Sequence, residues 1–142
     1  MKTLKSIALG IVLLTVFGAA KASSKPAVVL TKDYVINTYI DALSHGKMAG
    51  VEDILDRNAK FSMMRGDKVI DYTRAQMLQF MQKNHDVEQN CTVTTSEMES
   101  DYNATVVKVD MKYNGFVRSN FVTITNTGKG WKITNVYIWG VI

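Results

Sequence analysis

The strongest constraint on this chain is a stretch in which Thr105, Val107, Val109, Met111 and Tyr113 alternate with Lys108, Asp110 and Lys112, ending at Asn114-Gly115. A period of two describes a strand with one buried face and one partly wet face. Asn-Gly is the strongest short hairpin signal, because tight two-residue turns call for positive φ at one or both central positions, which Gly and Asn tolerate best. A turn of that length sets Tyr113 opposite Phe116, Met111 opposite Arg118, Val109 opposite Asn120, Val107 opposite Val122 and Thr105 opposite Ile124. Arg118 and Asn120 then share the apolar face, and Asp110 points away from it. Any fold this chain adopts must contain that antiparallel pair.

The rest of the pattern divides into a helical first half and a strand-rich second half, which predicts an α+β fold. Val35, Ile36, Tyr39, Ile40 and Leu43 recur at helical spacing behind Thr31, a suitable N-cap, and the helix stops at Ser44-His45-Gly46. A short second helix follows, with Met48, Val51, Ile54 and Leu55 on one face. Ala59 to Met64 reads as a strand, Arg65-Gly66-Asp67 as its turn and Lys68 to Tyr72 as the returning strand. Thr73-Arg74-Ala75-Gln76 has the form of a capping box opening a third helix with Met77, Leu78, Phe80 and Met81. From Val87 onward only strand-length runs remain, four in number. Turn chemistry separates them around Ser100-Asp101, Asn114-Gly115 and Gly128-Lys129-Gly130.

The first residues carry a different message. Lys2 and Lys5 precede an apolar run from Ile7 to Ala20, closed by Ala20-Lys21-Ala22, which is the layout of a cleaved secretory signal peptide. Fourteen apolar residues fall short of the ~20 that span a bilayer, and no Cys follows for lipid attachment, so no stable membrane anchor is expected. Cleavage after Ala22 leaves 120 of the 142 residues: a linker over 23–30 and one domain over 31–142. A chain of that size can bury roughly 65% of its unfolded surface in a single core.

The charge of +4 is largely a property of the leader, which holds three of the seventeen Lys and Arg. The remainder sets 14 basic residues against 13 acidic ones, without the basic footprint that a nucleic-acid binder needs. Cys91 has no partner for an intramolecular disulfide and reads as a small apolar side chain in a strand running from Val87 to Thr95.

The order helix, helix, hairpin, helix and four strands, with Tyr39-x-x-Ala42, Arg57-Asn58-Ala59-Lys60-Phe61 and Gly130-Trp131-Lys132-Ile133, resembles the nuclear transport factor 2-like superfamily. The likeness is closest to its bacterial "putative lumazine-binding" or polyketide-cyclase-like members, and it spans nearly all of the chain beyond the leader. The resemblance implies three N-terminal helices packed on a strongly curved, mainly antiparallel sheet that forms a cone with an apolar pocket. The superfamily hosts isomerases, dehydratases and epoxide hydrolases as well as binding modules, so the fold does not choose among them. Its members commonly pair sheet against sheet.

Strand parity then nominates the pocket. With a four-residue loop from Thr127 to Gly130, Trp131, Ile133, Asn135, Tyr137 and Trp139 join Met111, Tyr113, Arg118 and Asn120 on the inner face. A loop longer or shorter by one would reverse this. Tyr39 matches, by helical position, the hydrogen-bond donor of isomerase relatives. Their carboxylate base has no counterpart on the later strands, and of the epoxide hydrolases' Asp–Arg–Asp set only Arg118 fits. Ligand-binding candidates are therefore Tyr39, Met111, Tyr113, Arg118, Asn120, Asn135, Tyr137 and Trp139, with no catalytic residue assigned. For Arg118 the alternative is an ion-paired or snorkelling side chain near the sheet edge.

His45 and His85 show no spacing for metal ligation, and Glu97, Glu99 and Asp101 lack a calcium-loop pattern. Arg65-Gly66-Asp67 fits a hairpin turn better than an adhesion signal. Gly128-Lys129-Gly130 lacks the length of a phosphate loop, and the sequons at Asn90 and Asn103 matter only in a host that glycosylates. No metal or cofactor is expected.

Three functions stay open. The first is an exported module holding a small apolar or amphipathic ligand, with Arg118 or Asn120 fixing a polar end. The others are an isomerase, dehydratase or cyclase of the same superfamily, and a non-catalytic interaction domain. In the same register the outer face of the last two strands carries Val117, Phe121, Val136 and Ile138, an apolar patch that predicts a homodimer.

Overall fold

The computed structural model describes residues 28–141. The expected signal peptide, its cleavage site and the start of the linker lie outside the described residues. Helix α1 spans Lys32–His45, α2 is a single turn at Val51–Ile54, and α3 spans Arg74–Lys83. Six strands follow the chain as β1 Leu55–Arg65, β2 Lys68–Thr73, β3 Thr92–Ser100, β4 Ala104–Tyr113, β5 Phe116–Thr127 and β6 Gly130–Val141. They form one curved sheet in the order β2-β1-β6-β5-β4-β3, antiparallel throughout except for the parallel pair β1–β6. The architecture is the expected α+β arrangement, with the helices on one face of the sheet.

The caps work as their residue types require. Thr31 Oγ1 accepts from Tyr34 N at 3.1 Å to start α1. At Thr73 the hydroxyl accepts from Gln76 N while Gln76 Oε1 accepts from Thr73 N, so two orphan donors of α3 are satisfied reciprocally. Gly46 ends α1 with φ +65°, and its carbonyl accepts from Asp86 N at 2.9 Å, tying the helix end to the loop between α3 and β3. The approach is close enough that a Cβ on Gly46 would sit 2.4 Å from Asp86 N.

The β4–β5 register is the expected one at every position, from Tyr113 opposite Phe116 to Thr105 opposite Ile124. Its inner face delivers Val107, Val109, Val122 and Ile124 to a core shared with Val35, Tyr39 and Phe61. Asp110 faces outward, accepting from Ser119 Oγ at 2.6 Å and paired with Lys108 at 3.4 Å.

Three expectations need correction. Strand β1 begins at Leu55, not Ala59: Leu55 pairs with Ile133 of β6, and a bulge precedes Lys60. Local helical spacing hid this, because the partner of Leu55 lies in the last strand. Val87 to Cys91 is not strand, since β3 starts at Thr92, and Cys91 is half-buried beside it. Leu30, assigned to the linker, packs on the core, and its carbonyl accepts from Trp131 N at 2.9 Å.

A fourth correction concerns the last strand. The turn before β6 keeps the expected parity, pairing Asn126 with Trp131 and Ile124 with Ile133, so both Trp131 and Ile133 face inward. A bulge then lets Thr134 slip out of the ladder, and Thr123 pairs with Asn135. One extra residue exchanges the faces of everything beyond it. Val136 and Ile138 are core, 0% and 6% exposed, whereas Asn135, Tyr137 and Trp139 lie on the outer face. The outer patch therefore consists of Val117, Phe121, Tyr137 and Trp139 rather than the set that included Val136 and Ile138.

Gly46→Ala should lower the stability of the domain by about 2 kcal/mol or more, because the left-handed conformation and the contact with Asp86 oppose any side chain. Thermal unfolding followed by circular dichroism checks this. A melting point within 2 °C of wild type would show that the helix end and the Asp86 loop give way at little cost.

Candidate binding pocket

The inner face of the sheet and helices α1 and α3 do not meet everywhere. Between them lies a cavity of about 300 Å³. Buried Asn120, Met77 and Ile138 line it together with Leu43 and Met63, while Arg65, Gln76 and Phe80 are exposed and mark its mouth. Arg118 and Tyr72, both half-buried, complete the lining. Among the described residues no Asp, Glu or His lines this space. A larger groove of about 510 Å³ lies at the start of α3 between Arg57, Lys60 and Arg74, but it is open to solvent, and Lys60 there is paired with Asp71 at 3.3 Å.

Each polar side chain of the cavity owes its place to a local pattern. Arg118 and Asn120 are two residues apart on β5, so both project from the face that carries Val122 and Ile124. Arg65 closes the inward series Phe61, Met63, Arg65 on β1. Gln76 is fixed by its capping role. Asn120 is fully buried; its Oδ1 accepts from Tyr39 Oη at 3.2 Å, and its Nδ2 lies 3.5 Å from the Val109 carbonyl. Burial holds the Tyr39 phenol well above its ordinary ionisation range, against an opposing pull from the Arg118 charge. The hydroxyl is a neutral donor committed to Asn120.

Arg118 has no carboxylate within ion-pair reach among the described residues. Its guanidinium lies 5.7 Å from the centre of the Tyr113 ring, which stacks on Phe116 with centroids 4.6 Å apart. Tyr113 Oη donates to Gln89 Oε1 at 3.3 Å, and burial raises its ionisation too, with Arg118 again opposing.

Of the eight residues nominated from sequence, the structure brings Arg118 and Asn120 to the cavity wall and puts Tyr39 directly behind Asn120. Met111 is inward and buried, and Tyr113 is inward and half-buried, but neither lines the cavity. Asn135, Tyr137 and Trp139 are on the other side of the sheet, moved there by the Thr134 bulge. Parity along β1 from Phe61 places Met63 and Arg65 inward, and Tyr72 opposite Phe61 joins them. His45 ends α1 in an exposed pair with Glu88, and no group of three metal-ligating side chains exists among the described residues.

Removing the Tyr39 hydroxyl strands the Asn120 carbonyl oxygen in a dry interior, so Tyr39→Phe should cost about 1–3 kcal/mol in denaturant unfolding. Tyr39 is an acid whose folded-state ionisation is raised. Its contribution is therefore intact below the ordinary phenol range near pH 10 and is lost as pH rises above it. Ultraviolet titration at 295 nm should show one tyrosine that ionises only as the protein unfolds, and Tyr39→Phe should remove that phase. Ionisation of every tyrosine in the native protein near pH 10 would overturn this reading.

A model of the "Putative lumazine-binding" family matches residues 30–137. No functionally curated protein matches the sequence. Many solved structures share the fold. A nuclear transport factor 2-like protein of unknown function from Silicibacter pomeroyi superposes with TM-score 0.62 at 16% identity, covering 75% of this chain and 89% of that one. Another from Shewanella baltica gives 0.66 at 11% identity, covering 78% and 90%. One from Rhodospirillum rubrum, described as of unknown function in nutrient uptake, gives 0.56 at 14% identity, covering 78% and 98%. At these identities the likeness is one of fold. The match of the family model over most of the chain means that this protein belongs to the "Putative lumazine-binding" family, and it shares its fold with nuclear transport factor 2-like proteins.

Proposed function

We propose that this protein is an exported module that binds a small, largely apolar molecule in the cavity between α1, α3 and the sheet. The observation that carries this reading is a space of about 300 Å³ walled by Leu43, Met63, Met77 and Ile138, with a few polar groups converging on it. That is the lower end of the size and the usual chemistry of ligand pockets. Proton transfer beside a carbonyl needs a base within reach, and the described lining residues include no Asp, Glu or His, so binding is better supported than isomerase or cyclase chemistry. Lumazine, which the family description names, is one molecule to try. A bound ligand at one hundred times its dissociation constant stabilises by about 2.7 kcal/mol, a shift of roughly 10 °C for a domain of this size.

Thermal melts with lumazine and with indole, together with mass spectrometry of small molecules extracted from the freshly purified protein, should reveal at least one ligand. Met77→Trp, which fills the cavity, should abolish that binding by a hundredfold or more while leaving the circular dichroism unchanged. Protein that yields no extractable molecule and melts identically with both probes would overturn the reading.

A second copy of the chain is the occupant we propose for the outer face of β5 and β6. Phe121 and Tyr137 pack there at 6.4 Å between ring centroids, and Trp139 is 46% exposed, while Lys108 and Asp110 neutralise each other and leave Lys112, opposite Val117 at the edge of the patch, as the remaining charge of β4. A patch so apolar and so nearly uncharged favours a two-fold contact held by burial and insensitive to salt. Light scattering at micromolar concentration should give twice the chain mass. Phe121→Glu should restore the single-chain mass without loss of folding. A wild-type monomer would dispose of the dimer.

A further inference from the structure

The polar groups that reach the cavity have a common character. Arg65 and Arg118 can only donate hydrogen bonds. Each of the two amides in the lining has its oxygen already engaged: Asn120 Oδ1 by the Tyr39 hydroxyl, and Gln76 Oε1 by the Thr73 backbone N–H. What remains to offer is N–H: the Gln76 amide nitrogen, and the one Asn120 N–H not directed at the Val109 carbonyl. The Tyr72 hydroxyl can donate as well as accept. Carboxylates, which would supply acceptors, are missing among the described lining residues. A ligand that brings donors would leave this wall unsatisfied, and one that brings acceptors would satisfy it.

Position sorts these donors into two groups. Asn120 is fully buried at the inner end. Arg65 is exposed at the mouth, with Arg118 half-buried on the way in. A half-buried guanidinium with no carboxylate partner among the described residues carries a desolvation cost that an entering anion relieves. Apolar side chains fill the space between. The volume holds on the order of ten waters at about 30 Å³ each, and so a ligand of roughly a dozen non-hydrogen atoms.

From this arrangement, and resting on the binding reading above, we infer that the ligand class is a short apolar oxo acid. Its carboxylate sits at the mouth on Arg118 and Arg65, and its ketone or ester carbonyl points inward to accept from Asn120. The inference makes Arg118 the residue that selects charge and Asn120 the residue that selects the inner carbonyl.

Three probes of nearly equal size separate these contributions by calorimetric titration: 7-oxooctanoate, its neutral methyl ester, and octanoate, which lacks the inner carbonyl. The wild-type protein should bind the oxo acid about 10- to 100-fold more tightly than the ester, the range expected for charge-assisted hydrogen bonds. Arg118→Gln should erase that difference by weakening the acid and leaving the ester unchanged. The oxo acid should also exceed octanoate by several-fold. The double variant Tyr39→Phe/Asn120→Leu, which removes both partners of the buried bond and so avoids an orphaned group, should erase that second difference. An acid no tighter than its ester, or an Arg118→Gln effect equal on both, overturns the inference while the pocket stands. Failure of all three probes also overturns it. Whether the pocket reading falls with it is decided separately, by the extracted-ligand and indole measurements on the wild-type and Met77→Trp proteins.

Discussion

A single buried hydrogen bond, from the Tyr39 hydroxyl to the Asn120 side-chain oxygen, joins residues 81 positions apart and fixes how α1 sits on the sheet. Apolar packing alone tolerates a helix sliding or turning by a fraction of a residue. A buried amide does not, because either movement would orphan a polar group in a dry interior. The bond also orients the Asn120 amide, so that its N–H end, not its oxygen, is turned toward the Val109 carbonyl. The cavity's wall chemistry is thus decided by a side chain that does not line it. The same dependence explains why Tyr39 cannot play the donor role that its helical position suggests: its proton is already committed, and deep burial keeps it in place.

How much of this was readable beforehand depended on whether the deciding interaction was local. Thr31, the Thr73–Gln76 box and the Asn114-Gly115 turn act within four residues, and each produced the element expected of it. Because the hairpin fixes a register, it also carried Arg118 and Asn120, within five residues of the turn, correctly to the inner face. The bulge at Thr134 had no such signal. Thr-Asn in the middle of β6 contains no Gly and reads as ordinary strand, and what selects the bulge is the need to face Val136 and Ile138 to the core while β6 pairs with β1 and β5 at once. The early start of β1 failed for a related reason, since Leu55 finds its partner in Ile133 nearly 80 residues later. Within the pocket, parity could have nominated Arg65, Met63 and Tyr72. That Arg118 has no carboxylate partner among the described residues is a property of the assembled fold.

The two faces of β5 show how one strand serves opposite demands. Arg118 and Asn120 line a cavity, whereas Ser119 and Phe121 between them meet Asp110, Lys108 and Tyr137 outside. Ser119 is almost as buried as the core, although it faces outward, because the Asp110 carboxylate folds over it. The outer surface is therefore not a water-facing afterthought of the inner one. It has its own packed aromatic pair and its own compensated charges.

The position of β6 has a kinetic meaning. It is the last of the six strands to be synthesised, yet it sits inside the sheet, with β1 on one side and β5 on the other. No other described strand joins the β1–β2 hairpin to the β3–β5 meander. A nascent chain that ends before Gly130 therefore holds two unconnected ribbons, each with an open edge, and helices with nothing complete to cover. Such pieces gain little from forming early, and the pairing that unites them spans most of the chain, which makes closure slow and cooperative. The protein is built to fold all at once and late, and the interval before β6 arrives is when its apolar inner face is most exposed to other chains.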